Sequence, residues 1–417
     1  MKATIIAVGS EMLTPFRVDT NSLAITGRLN AIGYDVGSKV VVGDALDDLV
    51  RVFRTNAGTA DLIVCTGGLG PTEDDVTRDA LARLLDVPLD VDQEALQGIR
   101  ARFAARGLEM PAINRRQAMV PQGATVVPNT HGTAPGLLAD WGGTRFVLLP
   151  GPPREMMPMI ERLIETRAIA SGHGGLFRRV LKVTGRTESD VDATAQPVYR
   201  RWTSDPVPIT TTILAVQGEI ELHLTATAGT REEGDAALGQ AASALKDALG
   251  PSLYSTHGEK IEAVVGDLLR LAGWSVAVAE SCTGGLLASR LTDVPGSSQY
   301  FDRGVVCYSN QAKTDLAGVP PAFIEMHGAV SEPVAVAMAE GIRERAGSTV
   351  GIGITGIAGP TGGTDAKPVG TVSIAVLAAA HRKVRTFRFI GGRELVKFQS
   401  AQAGLNMLRL LLLERAV

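Results

Sequence analysis

The chain has 417 residues, 45% of them hydrophobic and 20% charged, which is ordinary for a globular protein of two or three domains. Its formal net charge of −3 gives no overall attraction to nucleic acid or to an anionic membrane. Three scattered cysteines exclude a disulfide framework and a zinc site, and no apolar run approaches the roughly 18 residues of a membrane span. We therefore expect a cytoplasmic protein that has neither nucleic acid nor membrane as a partner.

Strand-like and helix-like segments alternate from residue 1 to about residue 165. Such alternation predicts an α/β fold with a doubly wound, mostly parallel sheet, whose ligands bind outside the carboxyl ends of the strands. One loop in that position, TGGLGPTEDD at residues 66–75, contains three glycines and ends in three acids. The glycines would let the main chain approach a phosphate, and the acids could hold a hard divalent cation. The alternative is a strand-to-helix turn without a ligand, whose acids complement the helix dipole.

The middle of the chain, from about residue 172 to residue 254, has the pattern of a small α+β unit. RNA-binding KH modules clamp RNA through a GXXG loop. The corresponding residues 185–188 read Gly-Arg-Thr-Glu, which lacks the second glycine and ends in an acid. We therefore expect a spacer or dimerisation element, and a homodimer, rather than an RNA-binding module.

Nucleophile and base chemistry is most concentrated at residues 279–313. An apolar strand ends in AESCTGG, so the hydroxyl of Ser281 should lie at a sheet edge, where helix-start N–H groups could bind an oxyanion or a phosphate. A second turn contains Ser298, and a short strand then leads to Tyr308, Asn310 and Lys313. No histidine lies here, so a serine would need lysine or tyrosinate as its base. Taken singly, each residue is more often a turn or surface residue.

Two later features would suit an anionic substrate. The small-residue loop ITGIAGPTGG at residues 354–363, which includes Thr355, Gly356 and Gly359, presents N–H groups as a plausible anion cradle. Arg393 follows a predicted strand pair and could take a phosphate bidentately, although it could equally be an exposed arginine at a helix start.

These motifs carry a family resemblance. AESCTGG, PGSS, YSNQAK, ITGIAGPTGG and KPVGTV resemble the C-terminal domain of the competence/damage-inducible protein CinA family, and TGGLGPTEDDVT, GTAPG and LLPGPPREM resemble its N-terminal, molybdopterin-binding-like domain. The middle unit resembles the family's KH-like domain. The resemblance implies three domains at residues 1–170, 171–256 and 257–417. The chain departs from the family pattern at Thr14 to Arg17, Gly392 and Lys397.

For the C-terminal domain, the resemblance implies hydrolysis of nicotinamide mononucleotide (NMN) to nicotinate mononucleotide and ammonia, without a cofactor. The matching active-site positions are Ser281, Ser298, Tyr308, Lys313, Thr355 and Arg393. We predict Ser298 as the nucleophile, with Lys313 and Tyr308 as its base system, because all three should lie near one strand and its preceding turn. Ser281 would then orient the amide or stabilise the oxyanion.

For the N-terminal domain, the resemblance implies hydrolysis of ADP-ribose to AMP and ribose 5-phosphate with a divalent cation (Mg, Mn or Co). The predicted metal ligands, in order of preference, are Asp75, Asp74 and Glu11. The predicted phosphate-binding residues are Gly67, Gly68 and Gly70. Two alternatives remain: only the C-terminal site is catalytic, or the chain is a non-catalytic nucleotide-binding regulator linked to competence or DNA damage.

Overall fold

The computed structural model describes residues 1–169, 174–379 and 381–415. Contacts between Cα atoms divide the chain into two units. The first comprises Met1–Phe177 and Ala226–Ala236, and the second comprises Arg178–Thr225 and the chain from Ala237 onward. The predicted boundary between residues 170 and 171, and the last two residues of the predicted C-terminal domain, lie outside the described residues. No helix in the described ranges is long and apolar enough to cross a membrane.

The first unit is built on a six-stranded sheet with helices on its faces, so the predicted α/β class is confirmed. The six strands of this sheet are β1 (Lys2–Val8), β2 (Asp35–Val42), β3 (Leu62–Thr66), β6 (Thr125–Val127), β7 (Gly136–Trp141) and β8 (Thr144–Leu149), and β4 (Leu89–Val91) and β5 (Met119–Pro121) form a separate two-stranded sheet. Its helices are α1 (Asn21–Ala31), α2 (Leu46–Asn56), α3 (Thr77–Leu85), α4 (Gln93–Ala104) and α5 (Pro153–Glu165).

The sheet order in this unit is β2-β1-β3-β8-β7-β6. The first four strands pair in parallel, as predicted, whereas β7 and β6 return in antiparallel pairing. Parallel strands end at the same edge of a sheet, so the loops that follow β1 and β3 come together there. The β3 strand is buried on both faces, which explains its continuous apolar sequence.

The middle segment forms a four-stranded sheet with two helices, the α+β unit that the sequence predicts. Its strands are β9 (Gly175–Val183), β10 (Ile209–Val216), β11 (Glu219–Ala228) and β12 (Leu253–Ser255), and its helices are α6 (Glu188–Tyr199) and α7 (Arg231–Leu249). The sheet order is β10-β11-β9-β12. In β11 the apolar side chains of Ile220, Leu222 and Leu224 alternate with polar ones and are buried.

The C-terminal segment forms a five-stranded sheet of order β14-β13-β15-β16-β17. Its strands are β13 (Val276–Glu280), β14 (Phe301–Val306), β15 (Val350–Gly356), β16 (Thr371–Ala378) and β17 (His381–Arg388). Its helices are α8 (Ile261–Ala272), α9 (Leu286–Thr292), α10 (Asn310–Ala317), α11 (Pro321–His327), α12 (Glu332–Ala346) and α13 (Arg393–Arg415). The β13 strand is parallel to both of its neighbours, β14 and β15, whereas β16 and β17 are antiparallel.

Side-chain size on β13 differs between the two faces of this sheet. Val276 and Val278 pack into the core formed with α8, α9 and α13, whereas Ala277 and Ala279 face the core formed with α10, α11 and α12. The neighbouring strand β15 carries Gly353, where a Cβ would lie 2.1 Å from the carbonyl oxygen of Ala335 on α12. The main chain of α12 therefore packs directly against the sheet.

The close approach of α12 to Gly353 leads to a prediction about stability. Gly353→Ala should lower the free energy of unfolding by about 1–3 kcal/mol, because α12 must move to admit the methyl group. Denaturant unfolding of the full chain would measure the loss. A matched control is Gly239→Ala in the interior of α7, where the new Cβ would meet only the Arg179 Nη1 atom at 3.8 Å. The control should gain about 0.5–1 kcal/mol from helix propensity, and equal stability of the two variants would contradict the packing argument.

Candidate active site

The carboxyl ends of three parallel strands meet at one edge of the C-terminal sheet. Glu280, the last residue of β13, lies opposite Val306 of β14 and Ile354 of β15. Ser281 follows β13 at this edge, and its amide donates to the Ile354 carbonyl at 2.9 Å. The residues that follow β14 lie at the same edge. The strand order thus brings Ser281 close to side chains far away in the sequence.

Ser281 contacts Lys313 directly. The Lys313 ammonium donates to Ser281 Oγ at 3.2 Å and to the carbonyl oxygen of Cys307 at 3.1 Å. Lys313 lies on α10, whose N-terminus is capped by Ser309, with Oγ accepting from the Ala312 amide at 3.0 Å. Only 2% of Lys313 is exposed. The cap fixes the start of α10, and the lysine one turn further on reaches the sheet edge.

The surroundings of Lys313 favour its neutral form. Burial lowers the pKa of its ammonium below the ordinary value for lysine. Within the described ranges Lys313 forms no salt bridge, and the titratable groups that face it are the thiols of Cys282 and Cys307. Burial also raises the pKa of Cys282 to about 12, so that thiol is uncharged near neutral pH. A lysine in such surroundings can act as a base for an adjacent hydroxyl.

The structure contradicts the predicted pairing of Ser298 with Lys313. Ser298 lies in a short 3-10 turn, Ser297–Gln299, that precedes β14, whereas Lys313 follows β14. A six-residue strand rises roughly 3.3 Å per residue, so the two sites lie on the order of 20 Å apart at opposite edges of the sheet. Ser298 is exposed. The prediction failed because it treated nearness to one strand as nearness in space, although residues before and after an extended strand lie at its opposite ends.

The predicted anion site at the start of α9 is taken by a side chain of the protein. Glu280 is fully buried, and its carboxylate accepts from the amides of Gly285 at 3.1 Å, Leu287 at 3.0 Å and Ala288 at 2.7 Å. These helix-start amides are therefore not free for a substrate oxyanion. Sequence analysis missed this role of Glu280, although an acid just before a helix start is a known signal for capping.

A second group of predicted residues lies around Arg393. Its guanidinium donates to Tyr308 Oη at 2.6 Å and to the Gly359 carbonyl at 2.8 Å, which joins the residues after β14 to the small-residue loop after β15. Tyr308 is 58% exposed. Because Tyr308 directly follows Cys307, whose carbonyl binds Lys313, the Arg393 group adjoins the Ser281 and Lys313 pair.

The remaining predicted residues of this domain have mainly structural contacts. The buried Thr355 hydroxyl donates to the Ala329 carbonyl at 2.7 Å. A Cβ at Gly356 would meet Val372 at 2.6 Å, and one at Gly359 would meet Val369 at 2.5 Å, so close packing accounts for both glycines. Asn310 is the exposed first residue of α10.

The predicted N-terminal site residues all line one cavity of about 680 Å³ in the first unit. These residues are Glu11, Gly67, Gly68, Gly70, Asp74 and Asp75. The cavity lies outside the carboxyl ends of β1 and β3, as expected for this sheet type. Arg17, from the stretch that departs from the family pattern, lines the same cavity and adds a cation that sequence analysis had not assigned.

The glycine loop is largely engaged by the protein itself. The Gly67 amide donates to the Leu149 carbonyl at 3.0 Å, and the Gly70 amide donates to Asp75 Oδ1 at 2.7 Å. A Cβ at Gly67 would lie 2.3 Å from the Val8 carbonyl, and one at Gly68 would lie 2.1 Å from Thr77 Oγ1. Close packing therefore requires these glycines, and the amides of Gly67 and Gly70 are not free to bind phosphate.

The predicted metal ligands do not form a ready-made site. Carboxylate oxygens are suitable donors for a hard divalent cation. In the part of the chain that the structure describes, however, no three His, Cys, Asp or Glu side chains converge on one point. Asp75 also accepts from the Thr72 amide at 2.8 Å in addition to Gly70. The set of Asp75, Asp74 and Glu11 stays a prediction, and Asp75 becomes its least available member.

Comparison with known proteins covers nearly the whole chain. A family model described as "CinA C-terminal domain" matches residues 258–412, one described as "Probable molybdopterin binding domain" matches residues 4–169, and one described as "Damage-inducible protein CinA KH domain" matches residues 178–255.

Full-length relatives support the same assignment. A CinA-like protein of Koribacter versatilis is 47% identical, covering 98% of this chain and 99% of that protein. Another from Solibacter usitatus is 45% identical, covering 98% of each. The solved structure of the protein CinA with unknown function from Thermoplasma acidophilum is 34% identical over 40% of this chain and 98% of that chain, with a TM-score of 0.38. The two full-length relatives confirm the predicted resemblance, and the chain belongs to the CinA family.

Proposed function

We propose that the C-terminal domain is a serine amidohydrolase that converts NMN and water to nicotinate mononucleotide and ammonia. The observation that supports this most directly is the hydrogen bond between the buried Lys313 ammonium and Ser281 Oγ. Ser281 replaces Ser298 as the proposed nucleophile because it is the serine in contact with the base. The family resemblance supplies the substrate, and the serine–lysine pair supplies the reaction type.

The pair accounts for each proton in the reaction. Neutral Lys313 accepts the Ser281 hydroxyl proton as Oγ attacks the carboxamide carbon, and it then protonates the amide nitrogen, which leaves as ammonia when the C–N bond breaks. The result is an ester between Ser281 and the nicotinoyl group. Lys313 next takes a proton from the attacking water and returns it to Ser281 Oγ when the ester breaks. Nicotinate mononucleotide leaves, and the starting state is restored.

We propose that two main-chain amides next to Ser281 stabilise the oxyanion. In the described structure, the amides of Cys282 and Thr283 face the Cys282 sulfur and donate to no main-chain or carboxylate oxygen, unlike the neighbouring amides at 281, 284, 285, 287 and 288. The N–H of the residue after a nucleophilic serine commonly serves as an oxyanion donor. We assign this role to Cys282 and Thr283. Tyr308 and Arg393, joined to each other, would contact the rest of the mononucleotide.

The first prediction for this site distinguishes the two serines. Ser281→Ala should reduce ammonia release from NMN by at least about 10³-fold, because the nucleophile is removed. Ser298→Ala, on the opposite sheet edge, is the matched control and should retain nearly full activity. A coupled ammonia assay on the full chain would measure both. The reverse pattern would restore Ser298 as the nucleophile. No turnover by the parent chain, despite tight NMN binding, would favour the regulator alternative.

The second prediction concerns pH. Activity requires neutral Lys313, so kcat/KM for NMN should rise with pH and level off below the ordinary lysine pKa of about 10.4. The unfolded chain binds the Lys313 proton more tightly than the folded chain does. The free energy of unfolding should therefore increase as pH rises from the lowered pKa towards the ordinary lysine pKa. The difference in unfolding free energy between the parent and Lys313→Met, measured across pH, isolates that effect. A plateau at or above the ordinary value would contradict a buried base.

For the N-terminal domain we propose a second function, the hydrolysis of ADP-ribose to AMP and ribose 5-phosphate with a divalent cation. The cavity that collects all six predicted residues favours this proposal over a single catalytic site. Magnesium is usually held by one or two carboxylates together with substrate phosphates, so a cluster of three protein ligands is not required. When bound, such a cation would offset the pyrophosphate charge and acidify a water molecule. Glu11 and Asp74 are the carboxylates we propose as its protein ligands.

This assignment predicts a contrast between adjacent acids. Asp74→Asn should lower ADP-ribose hydrolysis by at least about tenfold and raise the magnesium concentration for half-maximal rate, because a ligand charge is lost. Glu73→Gln removes a neighbouring exposed charge that does not line the cavity, and it should leave both values unchanged. Assays of AMP formation at graded magnesium would test both variants. Equal losses in the two variants would indicate a general charge effect instead of ligation.

A further inference from the structure

We propose that Lys397 binds the phosphate of the substrate and so makes the C-terminal site selective for phosphorylated pyridine amides. This inference rests on the proposed amidohydrolase function. Lys397 lies on α13, one helical turn after Arg393, so the two cations project from the same side of the helix. Arg393 already belongs to the site through its bonds to Tyr308 and Gly359.

The Lys397 ammonium lies beside the turn that carries the nucleophile. A Cβ placed on Gly284 would be 3.7 Å from Lys397 Nζ and 4.0 Å from Lys397 Cε. Gly284 closes the turn that begins at Ser281, with its amide donating to the Ser281 carbonyl at 3.1 Å. Glycine at this position has a φ of 64° and no side chain, so the turn leaves space next to the ammonium.

Lys397 is exceptional among the partly or fully buried lysines of the described chain. The ammonium groups of the other four all have partners: Lys182 with Glu219, Lys313 with Ser281, Lys367 with the Val330 carbonyl and Lys383 with Glu414. In the described ranges, the Lys397 ammonium forms neither a hydrogen bond nor a salt bridge, although the residue is half-buried. A partly desolvated cation without a protein partner is suited to an anionic ligand.

Helix stability does not explain this cation. Positive charges near a helix N-terminus oppose the helix dipole, and like charges at positions i and i+4 repel each other. Arg393 and Lys397 incur both costs in the first two turns of α13. A doubly charged phosphate near them would be attracted to both cations and to the helix N-terminus, and so would offset both costs. Arg393 has two of its donors engaged by Tyr308 and Gly359, so Lys397 supplies the unengaged charge.

The test compares substrates with and without a phosphate, using the full chain. Lys397→Met should raise KM for NMN about tenfold or more with little change in kcat, because a charge-assisted contact to a non-reacting group is lost. It should leave the hydrolysis of nicotinamide riboside, which has no phosphate, unchanged. Lys397→Arg should keep KM for NMN near the parent value. Lys260→Met, at the exposed N-cap of α8, is the control and should behave as the parent.

Other outcomes overturn the inference. If Lys397→Met lowers kcat/KM equally for NMN and for the riboside, the lysine acts on the reacting amide or on the fold and not on the phosphate. If the parent releases ammonia and Lys397→Met keeps the parent KM, the inference fails while the amidohydrolase function stands.

A binding measurement separates the inference from the proposed function. Calorimetric titration with ribose 5-phosphate should show one binding site fewer, or at least tenfold weaker binding at one site, in Lys397→Met than in the parent. Sites in the first unit cancel in this difference because the substitution does not alter them. If no ammonia is released by the parent, the proposed function fails, but a difference in ribose 5-phosphate binding would still support the phosphate site. Identical titrations would overturn it.

Discussion

The burial of the Lys313 ammonium without a carboxylate partner is the constraint on which the C-terminal domain depends. An ammonium removed from water is costly, and within the described chain this one is compensated only by Ser281 Oγ and the Cys307 carbonyl. Both contacts require the carboxyl ends of β13 and β14 to lie side by side, and this follows from their parallel pairing. The sheet topology, the serine turn and the lowered pKa of the lysine therefore form one connected arrangement.

In both units, the protein's own carboxylates occupy amides that the sequence assigned to a ligand anion. The Glu280 carboxylate accepts hydrogen bonds from amides at the start of α9, and the Asp75 carboxylate accepts from the amides of Gly70 and Thr72 in the loop before α3. The internal acids hold the turns in shape before any substrate arrives. Negative charge on a ligand would then be met by side-chain cations, for which we propose Arg393 and Lys397 in one unit, and Arg17 lines the cavity of the other.

The sequence was most informative about which loops meet, because strand and helix periodicity places the ends of parallel strands at a common edge. It therefore located the Ser281 turn, Lys313 and the cavity of the first unit. It led us to choose Ser298 over Ser281, because the contact between Ser281 and Lys313 depends on the parallel pairing of β13 with β14, which the sequence does not show. It also could not show that packing against Val8 and Thr77 requires the glycines of the first loop, since a close main-chain approach leaves no local pattern.

The two thiols beside Lys313 are consistent with our proposal of a serine nucleophile, although a cysteine lies next to Ser281. The same apolar surroundings that favour a neutral amine also favour a neutral thiol, and burial raises the pKa of both Cys282 and Cys307. A group that remains a thiol at neutral pH is a poor nucleophile and a poor target for oxidants and alkylating agents. With Ser281 as the proposed nucleophile, we therefore expect oxidants to inactivate this site less readily than a cysteine hydrolase of the same geometry.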